Sequence, residues 1–289
     1  MRNKMGDSVM TEDISRTVLG RNAILLTGSV ALVTGGGTGI GRGIAIGLAE
    51  FGADVAVLDI DAAAAEQVAA LIRAKGCRTL VLETNVMDRD AVRAAVERTV
   101  KELGTLDILV NNVGGTRPIK LVDMTDKQAD RQIDLNLKSL VAMTQAAAKA
   151  MIAGNSGGSI INIASIEGMR AAPAYSVYAA CKAAMITLTR SMALELAEHS
   201  IRVNAIAPDI VLTEAVIRIA PALASPDAVA ARARRIPLIR AGNYDDCAGA
   251  AVFLASSMAS YITGVTINVD GGTWASSGWA RDDEGGWRL

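Results

Sequence analysis

The feature that most constrains this chain is an alternation running from Val30 to Gly272. Short apolar runs, rich in β-branched residues, alternate with Ala-rich stretches. The runs are VALVT (30–34), DVAVLD (54–59), TLVLETN (79–85), LDILVNN (106–112), SIINIAS (159–165), IRVNAIAP (201–208) and VTINVDGG (265–272). Between them the pattern predicts helices near 39–52, 62–75, 126–153, 174–198 and 244–257, with Asp88 able to cap another. Nearly continuous apolar strands are buried on both faces, as in a parallel sheet between helices. Right-handed crossovers then give an α/β, doubly wound (Rossmann), seven-stranded parallel sheet with helices on both faces. One domain is expected at 29–274, after an N-terminal extension (1–28) and before a C-terminal tail (275–289). The Pro-rich segment 209–240 is expected to be the most mobile internal stretch, at the carboxyl edge where α/β ligands bind.

Composition removes several function classes. The formal net charge is −1, with no basic surplus to neutralise a phosphate backbone, so nucleic acid is not an expected partner. Three widely spaced cysteines, Cys77, Cys181 and Cys247, form no CxxC pair and read as free thiols of a reducing, cytoplasmic compartment. The one histidine, His199, falls at a helix end and leaves no His-rich metal site. The N-terminus has no apolar core of a secretory signal, and no uncharged 18-residue run suggests a membrane span.

Thr34-Gly35-Gly36-Gly37-Thr38-Gly39-Ile40-Gly41 joins the first strand to the first helix. Glycines there let the backbone turn sharply and approach a pyrophosphate, and the helix N-terminus offers free N–H groups. Such a loop alone is also compatible with a tight packing turn. Asp59, at the end of the second strand, adds a second element: a carboxylate there can accept bonds from an adenosine ribose and repel the extra phosphate of NADP. No basic residue stands at Thr38 or at Ile60. The expected cofactor is therefore NAD. Asp59 as a simple strand-end cap is the plainer alternative.

Tyr178 and Lys182 stand four apart and share a helix face. A nearby ammonium, like an oxidised nicotinamide ring, would lower the pKa of a tyrosine from about 10 toward working pH. Ser165 ends the fifth strand and so reaches the same edge. A Tyr-x-x-x-Lys pair by itself is an ordinary helix face; its position after the fifth strand, behind Ser165, makes it a candidate site.

With these residues in order, the chain from about 26 to 274 resembles the short-chain dehydrogenase/reductases. The resemblance rests on Thr34–Gly41, Asn111-Asn112-Val113-Gly114, Asn136, Ser165, Tyr178, Lys182, Ile201-Arg202-Val203-Asn204 with Pro208, and Val269-Asp270-Gly271-Gly272. It implies an oxidoreductase that exchanges a hydride between NAD(H) and a secondary alcohol or ketone. Tyr178 would be the acid/base, Ser165 would position the substrate oxygen, and Lys182 would hold the nicotinamide ribose and depress the Tyr178 pKa. Asn136 would support a water chain. Gly35, Thr38, Gly39, Ile40, Gly41, Asp59, Ile60, Asn85, Val86, Asn112, Val113, Gly114, Pro208, Val211 and Thr213 would contact the cofactor. The family pattern also implies a homotetramer built on helix pairs. A 3-oxoacyl-thioester reductase is the second enzyme reading, and a non-catalytic NAD-binding regulator or scaffold the reading outside enzymes.

The chain departs from that pattern at Asn85 (usually Asp), Val113 (usually Ala) and Asp209 (usually Gly). Asp209 is expected near the nicotinamide and substrate, where it would restrict the backbone or disfavour anionic substrates. Glu167 and Tyr175 are further candidates for the substrate pocket. Trp279 and Trp287, in a tail outside the family pattern, would pack on a neighbouring subunit or cover the cleft.

Overall fold

The apolar runs form strands where expected. The computed structural model describes residues 20–219, 221–282 and 284–289. Its strands are β1 (Val30–Thr34), β2 (Asp54–Asp59), β3 (Thr79–Glu83), β4 (Ile108–Asn111), β5 (Gly158–Ile163), β6 (Ile201–Pro208) and β7 (Thr266–Val269). They make one sheet in the order β3-β2-β1-β4-β5-β6-β7, every neighbouring pair parallel. The sheet reverses direction of growth between β1 and β4, the place where an open α/β sheet leaves a crevice beyond its strand ends.

Helices α1 (Gly39–Glu50), α2 (Ala62–Arg73), α3 (Arg89–Leu103), α4 (Asp126–Ile133), α5 (Ser139–Gly154), α6 (Ser176–Glu195), α7 (Glu214–Ile219), α8 (Pro226–Arg235) and α9 (Tyr244–Ala255) connect the strands. Two large apolar clusters cover the sheet. One gathers Val33, Ile44, Leu48, Val57, Ile72 and Val252; the other gathers Leu32, Leu58, Leu82, Val96, Leu109 and Met151. Successive strand residues therefore point to opposite, equally apolar layers. Asp88 caps α3, accepting from the N–H groups of Asp90 and Ala91.

A buried polar chain ties α5 and α6 to the sheet. Asn111 Nδ2 donates to Thr144 Oγ1 and Asn162 Oδ1, and Asn162 Nδ2 donates to Thr189 Oγ1, each at 2.9 Å. Thr189 Oγ1 donates to the Met185 carbonyl at 2.8 Å. A fully paired buried network of this kind fixes one arrangement of its helices. It locks α6, which carries Tyr178 and Lys182, against β4 and β5.

Helix limits differ from the sequence expectation by a few residues. The helix expected from 174 begins at Ser176 because Ala174, after Pro173, takes a positive φ of 67°. The packed body also reaches back past the expected boundary at residue 29. Leu26 is buried in the first cluster, its N–H donates to the Phe51 carbonyl at 2.7 Å, and Ser257 Oγ donates to the Ala23 carbonyl. The rest of the expected extension, residues 1–19, lies outside the described residues. Segment 209–240 carries α7, a 3₁₀ turn (Pro221–Ala224) and α8. After a short helix α10 (Thr273–Ser276), the tail closes a hairpin of β8 (Ala280–Arg281) and β9 (Trp287–Arg288), with β8 against α8. Among the described residues no helix is long and apolar enough to cross a membrane.

Candidate active site

One cleft of about 720 Å³ runs along the carboxyl ends of β1 to β6. Each strand contributes to its wall: the turn after β1 (Gly35, Thr38, Gly39, Ile40), Asp59 at the end of β2 with Ile60 beyond it, Asn85 and Val86 after β3, Asn112 to Gly114 after β4, Ser165 after β5, and Pro208 at the end of β6 with Val211 and Thr213 beyond it. Tyr178 and Lys182 close it from α6. A groove of similar size, about 670 Å³, lies between α3 and α5 but holds none of these residues.

Two expected residues stand behind the wall. Gly41 lies under the turn: a Cβ there would come 2.1 Å from the Gly35 carbonyl oxygen and 2.5 Å from Asn112 Nδ2. It shapes the turn and does not line the cleft. Asn136 is fully buried within a π-helical turn (Asp134–Lys138) between α4 and α5. Its Oδ1 accepts from the Gly115 N–H at 2.8 Å, and its Nδ2 donates to the carbonyls of Gly115 and Gln132. Widened turns of this type collect at functional sites. This one aims the amide at the 114–115 loop, so the side chain holds that loop.

Asp59 is both a cap and a wall of the cleft. Its Oδ2 accepts from the Gly37 N–H at 2.9 Å and its Oδ1 from the Asp61 N–H at 3.1 Å. A carboxylate offers about four lone-pair positions, so two remain for a ribose. Thr38 precedes α1 without a side-chain capping bond, which leaves the first-turn N–H groups of α1 facing the cleft. Asn85 turns its Oδ1 to the Met87 N–H.

Around the reacting position, Ser165 Oγ accepts from the Glu167 N–H at 3.2 Å. The Pro208 carbonyl is 3.5 Å from that oxygen, the outer limit of a bond, and the Ser165 hydroxyl serves Tyr178. Gly168 lets the Ser165 loop approach α6: a Cβ would meet the Lys182 backbone carbon at 2.7 Å. Lys182 is 3% exposed, and its Nζ donates to the Ile163 carbonyl at 2.6 Å and sits 5.6 Å from the Tyr178 ring centre.

Burial dominates the electrostatics at this position. Burial pushes the Tyr178 phenol up to about 12, Ser165 pulls it down by a hydrogen bond, and Glu167 raises it. Burial brings the Lys182 ammonium itself down to about 8, and one of its three N–H donors goes to the Ile163 carbonyl. Desolvation is the first cause of the shift in both groups.

Sequence reasoning missed Thr84, Met87, Thr116, Arg131 and Leu223, which also line the cleft. Arg131 comes from α4, and nothing in its spacing marks it. It also missed Arg170, whose Nη2 donates to Glu167 Oε1 at 2.7 Å and to Asp209 Oδ1 at 3.5 Å. Asp209 lines the cleft as expected; Glu167 and Tyr175 are outside its wall. No tail residue lines the cleft among the described residues. Trp287 stacks against the Arg281 guanidinium, 4.6 Å from its ring centre, in the hairpin beside α8.

A parallel sheet in this strand order, a glycine turn and a Ser-Tyr-Lys edge define a dinucleotide-dependent oxidoreductase class. A family model described as "Enoyl-(Acyl carrier protein) reductase" matches residues 35–273, and the chain belongs to the short-chain dehydrogenase/reductases. It is 41% identical over 245 residues to the 3-oxoacyl-(acyl-carrier-protein) reductase FabG of Staphylococcus aureus, covering 84% of this chain and 97% of that protein. It is 42% identical over 253 residues to the 2-dehydro-3-deoxy-D-gluconate 5-dehydrogenase of Escherichia coli, covering 87% and 97%. A 7α-hydroxysteroid dehydrogenase solved with NADH superposes with a TM-score of 0.82 at 35% identity, covering 88% and 97%. An Agrobacterium tumefaciens protein described as a 2-deoxy-D-gluconate 3-dehydrogenase, solved with NADP, gives 0.79 at 36%, covering 88% and 100%. The relatives are oxidoreductases, several named for alcohol substrates, and among the solved neighbours some hold NAD or NADH and one NADP.

Proposed function

We propose that the chain transfers a hydride between NAD(H) and the carbon of a secondary alcohol or ketone, with Tyr178 as general acid/base. The observation that carries the reading is one continuous cleft with Asp59 at one end and Ser165, Tyr178 and Lys182 at the other. The cleft fits a dinucleotide: the glycine turn gives backbone access, the N–H groups of α1 face it, and Asp59 keeps acceptor capacity. When bound, the nicotinamide accepts or delivers the hydride. Ser165 holds the substrate oxygen, and Tyr178 gives that oxygen a proton or takes one from it. Lys182, fixed on Ile163, holds the ribose side, and Asn136 keeps the 114–115 loop in place. Placed near the phenol, the positive charge of an oxidised ring would bring Tyr178 down from about 12.

NAD is preferred over NADP on this reading because a 2′-phosphate would meet the Asp59 carboxylate and find no basic residue at Thr38 or Ile60. The 41% identity to a 3-oxoacyl-thioester reductase favours that activity as a second reading. The alcohol-named relatives, among them a sorbitol dehydrogenase of Cereibacter sphaeroides, support the first. A non-catalytic NAD-binding scaffold would have no need of the Ser165–Tyr178 contact. We infer further that the chain works in the cytoplasm as a homotetramer, consistent with three free cysteines and the Ala-rich α5 and α6.

The test mixes purified protein with NAD or NADP and a panel of secondary alcohols, following reduced-nicotinamide absorbance. NAD-linked turnover is expected. Tyr178→Phe should lower it by about 10²-fold or more, the scale of a lost acid/base, while NAD binding persists. Asp59→Ala should weaken NAD and narrow its advantage over NADP. Turnover with no alcohol or ketone would sink the enzyme reading, and a wild-type preference for NADP the reading of Asp59.

A further inference from the structure

Hydride transfer does not require a charged residue where Asp209 stands. Asp209 directly follows Pro208, whose carbonyl is 3.5 Å from Ser165 Oγ. Its side chain is 9% exposed and shares the cleft wall with Ser165 and Tyr178. Arg170 bridges it to Glu167, and the Glu167 N–H donates to Ser165 Oγ. Three charged side chains thus attach to the reacting position from both sides: Glu167 and Arg170 through the Ser165 loop, Asp209 through β6. Two carboxylates against one guanidinium leave the group negative, and Asp270 adds to the field at Arg170. Arg170 itself is outside the cleft wall, with its short bond given to Glu167.

A buried carboxylate only accepts hydrogen bonds, and its burial is costly unless donors reach it. The Thr273 hydroxyl, the Ile210 N–H and, at 3.5 Å, Arg170 serve it from the protein side. A carboxylate has about four acceptor positions, so one is left on the cleft side for a substrate hydroxyl. A substrate carboxylate placed against Asp209 would meet like charge there, and the nearby Arg170 guanidinium is already engaged by Glu167. An apolar alcohol would desolvate Asp209 and give nothing back.

We propose that Asp209, positioned by Arg170, is the specificity-determining residue of this site, accepting a hydrogen bond from a substrate hydroxyl near the reacting carbon. The substrate class it selects is a neutral polyhydroxylated alcohol or hydroxyketone, against both the corresponding acid and an apolar alcohol. The inference rests on the hydride-transfer reading.

The experiment measures kcat/KM with NAD for hexitols, aldonates of matching configuration and apolar secondary alcohols. It uses the full chain and its Asp209→Asn and Arg170→Gln variants, each checked for NAD binding and thermal midpoint. The wild type should favour hexitols over matched aldonates by about tenfold or more, the scale at which a site built for a polar group rejects a misfit. Asp209→Asn should narrow that ratio, chiefly through a lower KM for the aldonate. Arg170→Gln, outside the cleft wall, should raise the hexitol KM with less effect on kcat. Turnover with an unchanged ratio in Asp209→Asn, or a wild-type preference for aldonates or apolar alcohols, overturns the assignment while leaving hydride transfer intact. Turnover with none of the three classes overturns this inference, and the wider panel of alcohols and ketones then decides the hydride-transfer reading separately.

Discussion

Lys182 is the residue whose environment most limits what the site can do. Burial lowers its ammonium from 10.5 to about 8, so between those values the folded chain binds fewer protons than the unfolded one. Folding stability should then rise with pH across that window, and below pH 8 the charge is carried at full cost. The largest change is on the order of 3 kcal/mol. Tyr178 runs the other way: its folded pKa is raised from 10.0 to about 12, so stability falls as pH climbs through that later range. Lys182→Met removes the first effect and leaves the second. Denaturant midpoints at pH 7.5 and 9.5 should show the wild type gaining on Lys182→Met at the higher pH. Parallel behaviour of the two proteins would mean that Lys182 is well solvated. Tyr178, Lys182 and Ser165 are legible in the sequence because strand ends and i,i+4 spacing fix where they fall. Arg170 is not, since its role comes from Asp209, which is distant in the chain.

Among the elements, the β1–α1 turn has the least tolerance. The space Gly41 leaves is closed by the Gly35 carbonyl, a backbone atom that cannot rotate away as a side chain would. Gly41→Ala should force the turn open, with a cost of about 1–3 kcal/mol as for other overpacked sites. A thermal melt and an NAD titration check it: both the midpoint and the affinity should fall. An unchanged affinity would show that the turn takes no part in binding. The π-helical turn at Asp134–Lys138 marks the other limit of element-level reading. Residues 126–153 have a helical pattern throughout, and only the bonds from Asn136 to Gly115 and Gln132 explain why the helix widens there.

The whole molecule arranges these elements so that six strand ends share one cleft, while the tail folds away from it. The exposed Leu194 on α6, with the Ala-rich α5, gives apolar surface for the helix pairing behind the expected homotetramer. Sedimentation should give a particle of four times the 30.0 kDa chain. A monomer at micromolar concentration would refute that assembly.

Sequence alone determines the strands, their parallel burial, the glycine turn, and the strand ends where Asp59, Ser165 and Asp209 stand. These follow from period, apolar run length and local turn chemistry, which act within a few residues. Tertiary structure alone decides what meets what. It puts Gly41 beneath the turn, sends Asn136 to Gly115, and sets Lys182 on Ile163 with Arg170 between Glu167 and Asp209. It also raises Tyr178 by burial, because desolvation depends on the depth of burial, which no local spacing encodes.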